Sequence, residues 1–121
     1  MGEGHKLGRK GEELAVAHLR SLGYEILETN WFSHHLEIDI IARDGEELVI
    51  VEVKARSTDS YEHPSEAVST KKIRFLVNAA EAYILEKDIN LDTRFDVISI
   101  VFCGGGVELE HFKDAFYPPI G

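Results

Sequence analysis

Four ionisable side chains stand close together in the middle of the sequence: Glu37, Asp39, Glu52 and Lys54. Three carboxylates that meet in space repel one another and invite either a shared proton or a bound cation. A hard divalent ion such as Mg²⁺ takes oxygen ligands of this kind. The lysine would add a positive charge at the edge of such a cluster.

Whether these groups meet depends on the segments that carry them. Residues 36–42 and 47–55 are rich in Ile and Val and read as strands. Asp44-Gly45 between them is a tight-turn signal, so the two form an antiparallel hairpin. With Asp44-Gly45 as a two-residue turn, Arg43 faces Glu46, Ile41 faces Leu48, Asp39 faces Ile50 and Glu37 faces Glu52. Side chains alternate between faces along a strand. Glu37, Asp39, Glu52 and Lys54 then share one side, and Ile38, Ile40, Val49, Val51 and Val53 share the other. A solvated, salt-bridged sheet surface has the same pattern, so spacing alone leaves both readings open.

The rest of the chain supplies the frame. Ala15, Leu19 and Leu22, with Leu14 beside them, give residues 8–22 a helical apolar face, and Gly23 is placed to stop it. Residues 24–29 read as a strand, and residues 30–35 and the polar, Pro64-containing 56–66 as loops. A second helix is expected over 70–87, where Ile73, Leu76, Val77, Ala80 and Ile84 make one stripe behind a Ser69 or Thr70 cap. Residues 94–103, apolar on both faces from Phe95, read as a central strand. Gly104-Gly105-Gly106 leads into a last strand near 107–112, and Pro118-Pro119 into a tail without regular structure. The Gly triplet has no helix after it, so it reads as a hairpin loop and not a phosphate cradle. The order αβββαββ implies an α/β fold: a mixed sheet with a helix on each face.

Asp39, twelve intervening residues and then Glu52-Val53-Lys54 resemble the PD-(D/E)XK motif of restriction-endonuclease-like nucleases. Gly11-Glu12, Leu22-Gly23-Tyr24, Asn30-Trp31, Glu37-Ile38-Asp39, Val51-Glu52-Val53-Lys54-Ala55-Arg56 and Arg94-Phe95-Asp96 resemble the small bacterial YraN family, which is similar to archaeal Holliday-junction resolvases. The resemblance implies a restriction-endonuclease-like mixed sheet and a metal-dependent endonuclease that hydrolyses phosphodiester bonds in DNA, with branched DNA as one candidate. It implies that Asp39 and Glu52 bind Mg²⁺ or Mn²⁺ with the Val53 carbonyl, and that Lys54 positions or helps deprotonate the attacking water. A first-helix glutamate joins the metal in the resolvases; Glu12 matches it best and Glu13 less well, and Glu37 stands behind the ligands. The resemblance also places Lys71 or Lys72 near the site and a homodimer among the expectations. Ile38 stands where the nuclease motif often has proline, and Leu36 where the relatives usually have glycine, a place from which it could crowd the site. The rival readings are an inactive nucleic-acid-binding module and a structural or protein-interaction domain.

The net charge of −9 argues against a broad, non-specific nucleic-acid binder, so any phosphate contact must be local. Lys6, Arg9 and Lys10 at the expected start of the first helix oppose its dipole, a placement that either bound phosphate or a frayed, solvated helix end explains. Arg56, Lys71 and Lys72 are further candidates for contact with a nucleic-acid backbone. The six histidines have no paired spacing, which argues against zinc. Asp96 reads as a structural anchor, paired with Arg94, and Trp31 and Phe32 as covers of a core edge. The chain of 121 residues fits one domain with its own core. One cysteine and no apolar leader or span point to the cytoplasm and away from membranes.

Overall fold

A computed structural model describes residues 2–57 and 69–116, with side chains described from Gly8 onward. The elements are α1 (Gly2–Ser21), β1 (Glu25–Ser33), β2 (Leu36–Asp44), β3 (Glu47–Ser57), α2 (Thr70–Lys87), β4 (Asp92–Cys103) and β5 (Gly106–Phe112). The expected order and α/β class are found. The expected loop over residues 56–66 falls mostly outside the described residues, and the tail at Pro118-Pro119 wholly so.

The five strands lie in chain order, antiparallel except for the parallel pair β3 and β4. Antiparallel neighbours need only short turns, whereas the parallel step needs a crossover, which carries α2. A cluster of Ala15, Leu19, Ile40, Val49, Val51 and Ile98 packs α1 on one face of the sheet. Ile41, Leu48, Ile50, Leu76, Ala80 and Tyr83 pack α2 on the other. Both faces of β2 and β3 are therefore covered, and the expected polar face is in fact the α2 side of the core. Ser69 caps α2, its hydroxyl accepting from the Lys72 amide at 3.1 Å.

Three boundaries differ from the sequence reading. α1 starts at Gly2, so Arg9 and Lys10 lie in the helix interior and the dipole argument for them lapses. β1 runs through the expected 30–35 loop to Ser33, leaving only His34-His35 as a turn. The β2–β3 turn is Gly45-Glu46, with Asp44 opposite Glu47 and Ile41 opposite Ile50. Gly45 at φ +60° takes the first central position, where a II′ turn requires glycine. The register thus differs by two from the one read off the sequence, a slip that keeps each face but changes every partner.

A second irregularity matters more. Ile40 is buried with α1 and Ile38 with α2, although strict alternation would put both on one face. Their β1 partners are Thr29 and Trp31, and the residues between are Asn30 and Asp39. Asn30 has φ +50°, a left-handed conformation that asparagine tolerates better than most residues. The ribbon switches faces here, and the β2–β3 ladder ends at Ile40 and Val51.

Candidate metal and phosphate site

Where the ladder ends, the Asp39 side chain replaces it: Oδ2 accepts the Val53 N–H at 2.8 Å. The next position on β3 is Glu52, one step beyond the last pair and so across from Asp39. Glu52 is 4 % exposed. Its proton affinity is raised to a pKa of about 7, first by burial, then by the Asp39 charge and a hydrogen bond to Asp39, against the opposing pull of Lys72 and Lys54. A hydrogen bond between two carboxyl groups needs a proton, so without a cation the pair holds one between them.

Lys72 on α2 brings its ammonium to 3.3 Å from Glu52 Oε2. That is ion-pair distance, but the two are not aligned as donor and acceptor, and Oε2 has no hydrogen-bond partner among the described residues. An under-satisfied buried carboxylate oxygen against a second carboxylate is the observation that fits a hard cation. Mg²⁺ is commonly held by one or two carboxylates, with water and phosphate completing its shell. No three His, Cys, Asp or Glu side chains among the described residues form a closed cage. The donor set is thus the two-acid kind, not the cage kind.

An open cavity of ≈ 580 Å³ lies over Asp39, lined also by Arg9 and Glu12 of α1, Asn30, Val53 and Lys54, with Glu52 buried behind Asp39 and not part of the lining. Gly11 lets α1 come this close: a Cβ there would stand 2.7 Å from the Ala55 Cβ. Asn30 donates its amide to Glu12 Oε1 and so ties the helix carboxylate to the ribbon's switch point. Burial raises the Glu12 pKa; the Asn30 bond lowers it, and Asp39, Glu37 and Glu13 add to the rise.

The structure brings Asp39, Glu52, Lys54, Glu12, Val53, Arg9 and Lys72 to one region. Glu13 lies aside, on a shallow groove with Val16, Ala17 and Arg20. Glu37 is exposed, lies opposite Phe32 and does not line the cavity. Lys10 sits 6.0 Å over the Phe102 ring and Lys71 5.8 Å over Phe75, both away from the cavity. Arg56 is engaged in an interaction of its own, and the Lys6 side chain lies outside those described. Leu36 turns into the α2 cluster and does not crowd the site. Trp31 does the same, its ring edge-on to Tyr83 at 5.1 Å, while Phe32 is 64 % exposed. Asn30, within the segment that reads as a loop in sequence, is a further site residue.

At the other end of the sheet, Arg94 bonds both oxygens of Asp96, at 2.9 and 3.0 Å, and also Asp44, Glu47 and the Tyr24 hydroxyl. Asp96 is therefore an anchor, as expected.

A family model described as uncharacterised protein family UPF0102 matches residues 11–100. A UPF0102 protein of Parabacteroides distasonis is 46% identical over 119 residues, 98% of each chain. One from Bacteroides thetaiotaomicron is 45% identical over 99% of each, and one from Christiangramia forsetii 44% over 97% of this chain and 98% of its own. No helix among the described residues is long and apolar enough to cross a membrane.

Proposed function

From the premise that the chain belongs to the uncharacterised protein family UPF0102, we propose that it is a Mg²⁺- or Mn²⁺-dependent endonuclease hydrolysing phosphodiester bonds in DNA. The observation that supports this most is the carboxyl pair of half-buried Asp39 and buried Glu52 at the end of the β2–β3 ladder, with Asp39 lining a cavity that Lys54 and Glu12 also line.

Asp39 and Glu52 would hold the ion, with the Val53 carbonyl as a further donor, while Glu12, tied to Asn30, stands at the cavity wall. When bound, the ion supplies a water of lowered pKa and charge to meet the developing phosphorane. Val53 N–H fixes the Asp39 carboxylate, so one ligand is in place before substrate arrives. Lys54 is a donor in its ammonium form and so orients the attacking water and a phosphate oxygen. Arg9 offers a second, forked donor to the phosphate from α1. Lys72 gives Glu52 a counter-charge while no cation is bound. Water oxygen forms the new bond to phosphorus, the bond to the leaving sugar oxygen breaks, and that oxygen takes up a proton. A strongly acidic chain with two cations at one cavity suits local capture of a phosphate better than broad binding of duplex.

The test is cleavage of linear, flapped and four-way DNA in Mn²⁺, with Asp39→Asn and Lys54→Ala beside the wild type. Cleavage that needs the metal and is lost in both variants is expected. No cleavage of any substrate, with metal-independent and salt-sensitive DNA binding instead, would replace this reading by that of an inactive binding module.

A further inference from the structure

His18 on α1 and His111 on β5 are 93 positions apart in sequence, yet His18 Nε2 lies 3.1 Å from His111 Nδ1. The other nitrogen of His111, Nε2, is 2.7 Å from Oδ2 of the fully buried Asp96. We propose that His18 and His111 form a binding site for a borderline transition-metal dication such as Zn²⁺ or Cu²⁺, distinct from the carboxylate pair at Asp39 and Glu52.

Protonation states follow from the partners. Burial alone would raise the Asp96 pKa, but hydrogen bonds from His111, Arg94 and the Asp114 amide outweigh it and keep the carboxyl ionised. An ionised carboxylate accepts only, so His111 Nε2 carries the proton. A metal could then be held only through the other ring nitrogen, Nδ1, which faces His18 Nε2. Burial first, then the charges of His111 and Lys113, lower the His18 pKa, which favours the ring with a free lone pair. Without metal, one hydrogen bond between the two rings joins them.

The spacing suits an ion set to one side of the line between the two nitrogens, with both rings turned out of their hydrogen bond. Metal–imidazole bonds are about 2.0–2.1 Å, so two imidazole nitrogens on neighbouring positions of one ion are roughly 2.9–3.4 Å apart. A carboxylate that holds the far nitrogen of a ligating imidazole fixes its tautomer and raises its basicity. Asp96 stands in that relation to His111, and Arg94 in turn fixes Asp96. Nitrogen donors select Zn²⁺, Cu²⁺ or Ni²⁺ over Mg²⁺. His18 is half-buried, which leaves water to complete the shell. The opposing charge is Lys113, whose exposed chain can turn to solvent.

Zn²⁺ by calorimetry and Cu²⁺ by electron paramagnetic resonance test this on the full chain. His18→Gln is the first variant, since a half-buried helix position tolerates it, and the Asp39→Asn/Glu52→Gln double variant is the control. One ion bound in the micromolar range is expected, with hyperfine coupling from two nitrogens. His18→Gln should weaken binding roughly tenfold or more, with one nitrogen remaining, and the control should bind as the wild type does. Asp96→Asn should weaken it while keeping both nitrogens. Equal binding by wild type and His18→Gln, or binding lost in the carboxylate double variant, would overturn the assignment.

Discussion

Glu52 puts the Asp39–Glu52 pair to a thermodynamic test without any substrate. Its pKa rises from the ordinary 4.5 to about 7 in the folded chain. A raised acid means the folded state holds a proton that the unfolded state has released. Below pH 4.5 both states are protonated and the group costs nothing. As pH climbs from 4.5 to 7 the folded state resists ionisation, and above 7 the full cost is present. The difference between 4.5 and 7, at about 1.4 kcal/mol per unit, makes that cost about 3 kcal/mol. Glu52→Gln keeps the shape and a hydrogen-bonding head but never ionises. In EDTA the variant is therefore expected to match the wild type near pH 4.5 and to exceed it by up to about 3 kcal/mol at pH 8. Urea unfolding of both proteins at pH 4.5, 6 and 8 reads this, and taking the difference between them cancels the titrating groups that do not interact with Glu52. A variant no more stable than wild type at pH 8, or a difference that does not change with pH, would refute the buried, proton-sharing pair.

Two further substitutions probe the frame. Arg94→Ala leaves Asp96 buried without its guanidinium and is expected to lower unfolding free energy by about 3–5 kcal/mol; urea titration checks it, and Arg94→Met with Asp96→Asn should lose less than the two single changes together. Gly11→Ala drives a methyl against Ala55 and is expected to cost about 1–3 kcal/mol, with Ala55→Gly in the same chain restoring most of the loss in thermal unfolding.

The elements were legible because their signals are local. The apolar stripe and Ser69 mark α2, and Gly23, at φ +88°, stops α1 as expected. The chemistry-bearing residues were legible as types: Asp39, Glu52 and Lys54 do gather. Their geometry was not legible, because it depends on two backbone positions whose residues are ambiguous. Asp44-Gly45 reads as a turn pair, but the glycine is used in the first central position, and Asp39 lands across from Glu52 instead of diagonal to it. Asn30, in the left-handed region, looks like a loop residue, yet it sits inside β1 and switches the ribbon's faces. Period-two alternation cannot reveal such a switch and places Ile38 and Ile40 on one side. The meeting of His18 and His111 depends on how α1 lies across β5, which no local spacing encodes.

The most direct measurement is the melting temperature of the full chain at pH 8 in EDTA, then in Mg²⁺ or Mn²⁺, for the wild type and Asp39→Asn. An ion that binds only the folded state stabilises it by mass action, about 2.7 kcal/mol at a hundredfold excess over its Kd. The wild type should melt higher with either ion and Asp39→Asn should not move. Equal shifts in both proteins, or none in the wild type, would contradict a cation held between Asp39 and Glu52.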